Sequence, residues 1–331
     1  MKMKSKYVLY LLCLFLIGDF DAVAQRRALG VRSVQETLKQ QNTIVEEKKQ
    51  DKTEAVVYVN KKLPQETQTL PFISDVDINI PQTIDVRDNT FVVIIANENY
   101  TDVEKVPYAL RDGELVRTYC INALGIPESN IHYVADATLN NIKKQVRWLS
   151  EIVHVYEGKA KIIFYYSGHG IPDDKSKDAY ILPVDGYGSD YETGYSLKEL
   201  YEALGKLSAE SVFVFLDACF SGSMRDGGML ASARGVAIKS KPSKPVGNMI
   251  IFSAAQGDET ALPYKEKQHG MFTYFLLKKI QEKKGIVMLG ELEEYIVGEV
   301  KKHSVVINQK MQTPTISSSA TLSTIWKNMK L

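Results

Sequence analysis

Two short strings bring together residue types that can do chemistry. One is Tyr165-Tyr166-Ser167-Gly168-His169-Gly170, the other Phe215-Leu216-Asp217-Ala218-Cys219-Phe220-Ser221-Gly222. Each carries its reactive side chain just past a hydrophobic run and releases it with glycine. A thiol at neutral pH needs a base or an electropositive neighbour before it is a useful nucleophile. An imidazole on an adjacent element supplies both, and can later protonate a leaving amine. Glycines around the histidine let a substrate approach the backbone and leave N–H groups to hold an oxyanion. A buried histidine or cysteine at a strand end is common alone. The coincidence of both with matched hydrophobic runs and Gly-rich turns points to nucleophilic catalysis.

Such a pair works only if the chain positions it. Phe91–Ala96, Lys161–Tyr166, Val212–Leu216 and Met249–Phe252 are short, continuously apolar runs, expected of strands buried on both faces. Helices are predicted over 109–124, 138–156, 197–204, 271–280 and 289–300. In the second of these Ile142, Val146, Leu149, Val153 and Tyr156 recur at helical spacing. Alternating strands and helices predict an α/β fold, a three-layer α/β/α sandwich with a mostly parallel sheet. In such a sheet ligands bind beyond the carboxyl ends of the strands, where His169 and Cys219 fall.

The rest of the chain narrows the class. It has 331 residues, 41 Lys+Arg against 40 Asp+Glu, 44% hydrophobic residues and three cysteines. That balance argues against a dedicated nucleic-acid binder, and three cysteines cannot build a disulfide scaffold. Lys2, Lys4 and Lys6, the apolar stretch 7–18 and Ala22-Val23-Ala24 predict a signal peptide over 1–24, and so an exported protein. The apolar stretch is short of the roughly 20 residues that span a bilayer. Cys13 would leave with the signal, and Leu12 before it fits a lipoprotein signal poorly. Cys120 shares an apolar helix face with Leu115, Val116 and Tyr119, which predicts a small buried hydrophobe.

Residues 25–85 are expected to be a linker or a pro-segment lying against the domain, with a short helix near 34–49 and a strand at 55–59 open within it. The domain proper is assigned to 86–331. Residues 221–247 hold five Gly, five Ser and two Pro and read as a long irregular loop. His132, His154, His269 and His303 lack metal-ligand spacing and are expected to be structural. There is no phosphate-binding glycine loop, no Cys-x-x-Cys pair and no dinucleotide fingerprint.

With these motifs in order, the sequence resembles the caspase-like cysteine peptidases, the metacaspase and bacterial branch more than the animal caspases. The resemblance spans roughly 89–280. It is carried by Ile94-Ile95-Ala96-Asn97-Glu98-Asn99-Tyr100, Ser167-Gly168-His169-Gly170, Tyr180-Ile181-Leu182-Pro183-Val184-Asp185 and Asp217-Ala218-Cys219-Phe220-Ser221-Gly222. His169 precedes Cys219 at the separation of about 50 residues known for caspases. The resemblance implies a caspase-like fold, with His169 as general base and acid, Cys219 as nucleophile and the N–H groups of Gly170 and Cys219 as the oxyanion hole. Animal caspases have Gln-Ala-Cys where this chain has Asp217-Ala218-Cys219. In metacaspases that acid helps to form a pocket for Arg or Lys, with further members matching Asp112 and Ser167. Two carboxylates in a partly desolvated pocket favour a guanidinium or ammonium. Tyr108-Ala109 departs from the usual Gly-Cys pair, and an acid near a helix start is also favoured by the dipole alone, so Asp112 is the weaker match.

The expected activity is therefore that of an exported cysteine endopeptidase cutting after Arg or Lys, acting on peptides or proteins as a monomer without an organic cofactor. The same dyad with acidic specificity, or a non-catalytic binding or scaffold protein, are the rivals. Arg225, Arg234, Lys239, Lys241 and Lys244 face only Asp226 in the long loop, so self-processing there competes with a plain solvated linker. Many metacaspases need calcium, for which Asp173, Asp174, Asp178, Asp185 and Asp190 offer oxygen donors, although a solvated acidic loop explains them equally. Ser253-Ala254-Ala255 resembles a substrate-lining segment of the family.

Overall fold

The computed structural model describes residues 72–221, residue 240 and residues 244–331. The signal peptide, the segment 25–71 with its open helix and strand, and most of the 221–247 loop lie outside the described residues.

The first apolar run forms β1 (Thr90–Ala96), all seven residues of which are buried. Helix α1 (Ala109–Asn122) follows, then β2 (Ile131–Ala135), α2 (Leu139–Val155) and β3 (Lys161–Ser167). A small antiparallel sheet is built from β4 (Gly170–Pro172), β5 (Ala179–Ile181) and β6 (Tyr195–Ser196). Helix α3 (Leu197–Gly205) leads to β7 (Ser211–Asp217), also buried throughout, and the chain re-emerges as β8 (Met249–Ser253). A two-stranded hairpin, β9 (Pro263–Tyr264) with β10 (His269–Gly270), runs into α4 (Met271–Glu282). Helix α5 (Leu289–Asn308) and β11 (Thr315–Ser318) complete the chain.

The main sheet has six strands in the order β11-β8-β7-β3-β1-β2, parallel except for β11 at one edge. Alternation along each strand divides its residues between two cores. Val92, Ile94, Tyr165, Phe215 and Phe252 face α1, α4 and α5, whereas Val93, Ile95, Phe164, Tyr166 and Val214 face α2 and α3. That is the expected three-layer arrangement. Helix α2 starts as its sequence predicts: Thr138 accepts from the Asn141 N–H, and the Asn141 side chain accepts from the Thr138 N–H. Its expected apolar stripe, Ile142, Val146, Leu149 and Val153, is buried.

Differences from the sequence reading lie at the margins. Strand β2 is an edge strand with half-exposed residues, so it lacks the continuous apolar signature. The pairs β4–β6 and β9–β10 are two or three residues long, too short for any periodicity. Helix α5 runs eight residues past its expected end, carrying exposed Val305 and Val306. Cys120 is a free, buried thiol whose titration burial pushes up to about 12, so it is an inert core residue as expected. Among the described residues no helix is long and apolar enough to cross a membrane.

Residues 72–80, left with the linker or pro-segment by sequence, lie against the domain as a strap. Val76 is fully buried, and its carbonyl accepts from the Tyr119 hydroxyl at 2.8 Å. Gln281 donates to the carbonyls of Asp75 and Ile78. Asp75 accepts from Lys267, Lys278 and the Tyr274 hydroxyl. Desolvation would raise its titration, but those three donors outweigh it and hold the carboxyl well below the usual carboxylate range. A depressed carboxylate stabilises the fold fully above its unfolded value and loses that contribution as pH falls. Asp75→Asn should therefore lower the unfolding midpoint by about 2–4 °C at neutral pH, the pair being partly exposed. Thermal melts of the two proteins should converge progressively below about pH 4.

Candidate active site

The pairing of β3 with β7 sets the geometry. The strands are parallel and in register, with Lys161 opposite Ser211 and Ser167 opposite Asp217. His169 and Cys219 each stand two residues beyond that last pair, so the register delivers them to the same level of the carboxyl edge. The turns that carry them touch. A Cβ built on Gly170 would lie 2.6 Å from the Cys219 carbonyl oxygen and would overlap the Phe220 ring. Only glycine allows the two turns to come this close.

The strand order reverses between β1 and β3, and the loop leaving β1 meets His169 there. The His169 Nε2 donates to the Glu104 carbonyl at 2.8 Å. The Tyr100 hydroxyl accepts from the His169 backbone N–H at 2.7 Å, and the two rings pack with centroids 4.8 Å apart. The Tyr166 hydroxyl donates to the His169 carbonyl at 2.6 Å. With Nε2 fixed as a donor to a carbonyl, Nδ1 of the neutral ring is the basic nitrogen. The sequence offered no orienting group because this one is a main-chain carbonyl, which no residue type encodes. Asn97, fully buried, ties the same edge together by accepting from the Ala137 N–H and donating to the carbonyls of Ala137 and Leu182.

Cys219 is 5% exposed and His169 3%. The Cys219 sulfur accepts from the Ala261 N–H at 2.7 Å, so the segment after β8 lies over the thiol. A cleft of about 320 Å³, lined among others by Phe220, Ser253, Ala255 and Glu259 but by neither Cys219 nor His169, lies toward the core that faces α2 and α3. Ser253 and Ala255 of the expected substrate-lining segment therefore reach it, whereas Ala254 is fully buried.

Both expected pocket acids are fully buried and meet across one residue. A Cβ on Gly270 would lie 2.9 Å from Asp112 Oδ2 and would overlap Asp217 Oδ2. Asp112, in the first turn of α1, accepts from the Gly270 N–H at 2.9 Å and from His269 Nδ1 at 2.7 Å. It is not a surface acid. Asp217 accepts from the Thr273 N–H and, at 2.7 Å, from the Thr273 hydroxyl, in the first turn of α4. Ser167 is fully buried in register with Asp217. His269, expected to be merely structural, instead bridges Asp112 and Asp77 of the strap, the latter at 3.1 Å. Its spacing gave no signal, because both partners lie more than 150 residues away in sequence. His132 is structural as expected, stacked on Trp148 and bonded to Gln145.

No group of three or more His, Cys, Asp or Glu able to hold a metal converges among the described residues. Three of the five acids considered for calcium accept hydrogen bonds from the protein. Asp173 accepts from Ser176 and Lys175, Asp185 from the Leu139 N–H, and Asp190 from the Glu192 N–H.

The parallel sheet thus presents a histidine and a cysteine from neighbouring strand ends, with the imidazole bonded to a main-chain carbonyl. The caspase-domain family model matches residues 89–324, and the chain belongs to that family. It is similar to the crystal structure of caspase-1 from Spodoptera frugiperda, at 15% identity over 71% of this chain and 88% of that one, with a TM-score of 0.49. It is also similar to a structural-genomics target protein from Geobacter sulfurreducens, at 19% identity over 70% and 93% of the two chains, again with a TM-score of 0.49. No curated protein sequence matches the chain. The family makes this a domain of cysteine-type peptidases acting on protein substrates.

The glycine geometry is directly testable. Gly170→Ala must push aside the Cys219 carbonyl and is expected to cost about 1–3 kcal/mol in urea unfolding. Gly298→Ala, in α5 with open space around its Cβ, is expected to be neutral or to stabilise by up to about 1 kcal/mol. Equal effects at both sites would contradict the close approach.

Proposed function

We propose that the protein is a cysteine endopeptidase of the metacaspase and bacterial branch that cleaves after Arg or Lys, with Cys219 as nucleophile and His169 as general base and acid. The observation that carries this reading is the β3–β7 register, which sets His169 and Cys219 level at one sheet edge with Ser167 and Asp217 directly beneath them. His169 takes the thiol proton, the thiolate attacks the peptide carbonyl, and backbone N–H groups at Gly170 and Cys219 hold the oxyanion. His169 then protonates the departing amine, and water hydrolyses the thioester. Asp112 and Asp217 supply the specificity: two buried carboxylates meeting at one glycine form a negative locus that suits a guanidinium and rejects an aspartate side chain.

Export, read from residues 1–24, and self-cleavage in the basic loop belong to the same proposal. A basic-specific enzyme finds Arg225, Arg234, Lys239, Lys241 and Lys244 in its own chain. The covered sulfur of Cys219 is the one feature that favours the rival, a caspase-like scaffold without turnover.

Peptides matched except for Arg, Lys or Asp before the scissile bond test the reading. The wild type should cleave the basic peptides, and Cys219→Ala should cleave none. Asp217→Asn keeps an acceptor for Thr273 while removing the charge, and should lower kcat/KM on the Arg peptide by at least about 30-fold. Preferred cleavage after Asp would sink the specificity, and failure of a thiol-directed probe to label Cys219 would favour the scaffold. Self-processing predicts fragments from the wild type that are missing from Cys219→Ala; identical band patterns refute it.

A further inference from the structure

The carboxylate pocket is already filled. His269 is fully buried, with Nδ1 2.7 Å from Asp112 Oδ1 and Nε2 3.1 Å from Asp77 Oδ1. Each ring nitrogen therefore lies within hydrogen-bond distance of a carboxylate oxygen, one on α1 and one on the strap. The next residue, Gly270, threads between Asp112 and Asp217, closely enough that no side chain fits there. The β9–β10 hairpin thus places an imidazole and a backbone N–H against the carboxylates that an incoming guanidinium would have to reach.

We propose that His269 is a specificity-determining residue, the chain's own occupant of the acid pocket, which a substrate Arg or Lys must displace. Asp77 is the positioning residue that pins it. The inference rests on the reading of Asp112 and Asp217 as the specificity acids. The groups around His269 come from every packed element: Asp112 from α1, Asp217 across Gly270 and Asp77 from the strap. Arg111 is paired with Asp77. Displacing the imidazole would leave the buried Asp112, with buried Asp217 across Gly270, to be matched by whatever enters, so the pocket selects a cation.

Asp77 holds His269 from outside the substrate's reach. Its carboxylate also accepts from the Ser74 N–H at 2.7 Å and pairs with Arg111, and the strap is pinned further by Asp75 on Lys267 and Lys278. The hairpin has a place to bend: Gln268, immediately before His269, adopts a left-handed backbone with φ of 53°. Every substrate pays for expelling His269, and the apparent affinity falls by the fraction of molecules in which the pocket is open.

The test separates this inference from the proteolytic reading. Asp77→Asn keeps the shape and most hydrogen bonds but removes the charge that pins Nε2. His269→Gln, a neutral replacement, guards against a fold-specific effect of the first. Each should lower KM for the Arg peptide by about tenfold with kcat changed less than about twofold. In a Cys219→Ala background, calorimetry with agmatine, a free alkyl guanidinium, should show the same tightening without any turnover. Arg-peptide cleavage with KM unchanged or raised in both variants overturns the role of His269 and leaves the protease standing. Tighter agmatine binding without hydrolysis of basic peptides supports the filled pocket and removes the proteolytic reading. Agmatine binding to none of the proteins, with cleavage after Asp, overturns both.

Discussion

The structure depends on the in-register parallel pairing of β3 with β7. A slip of one residue would turn every side chain of one strand to the opposite face and so mismatch its packing in both cores at once. The cost of that slip is set by Tyr165, Tyr166, Phe215 and Leu216, all essentially buried, with neighbours on opposite sides of the sheet. The hydrophobic cores therefore fix the level at which the chain leaves each strand. That level decides whether His169 and Cys219 stand side by side or a full residue apart. Chemistry at this edge is a by-product of packing elsewhere, and its precision is the precision of two cores that share one sheet.

The edge itself is held by polar groups that replace secondary structure where the strands end. Asn97, Tyr100 and Tyr166 accept from or donate to main-chain groups of three different loops. Each bond satisfies a backbone group that burial would otherwise leave unmatched. The same bonds restrict the His169 backbone and, through the Glu104 carbonyl, its ring. Positioning of the imidazole thus draws on a main-chain carbonyl. The acids of the site are left to a different task, and two of them, Asp112 and Asp217, converge on Gly270 at the start of α4.

What was legible in the sequence follows from this division. The strands that form both cores were visible as continuous apolar runs, and α2 declared both its stripe and its cap. His169 and Cys219 were legible because each sits at the end of such a run with glycine beside it. Strand β2, half exposed, and the two-residue strands β9 and β10 carry no periodic signal. The orienting carbonyl of Glu104 was invisible because every residue has one, and the side chain of Glu104 does no work there. His269 was read as structural from its lack of metal-ligand spacing, with no sign of its partners. Its meaning lies in Asp77 and Asp112, which only the tertiary fold brings to it, so spacing along the chain could not have revealed it.

Charge burial links these observations. Asp112 and Asp217 are fully buried and lie a glycine apart, a placement that would be strongly unfavourable without compensating donors. The stretch from His269 to Thr273 contributes an imidazole, two backbone N–H groups and a hydroxyl to them. A pocket built to bind a cation strongly is for the same reason a pocket that cannot be left empty. Whatever fills it in the absence of substrate must satisfy both acids and still be replaceable, and a side chain on a short hairpin beside a left-handed hinge meets both requirements. The strap residue Asp77 then shifts the balance toward filling, because it adds a second carboxylate that holds the imidazole and has no contact to offer a substrate beyond it. On the proposed reading, recognition and closure draw on the same two carboxylates, and any change that strengthens one must be read against the other.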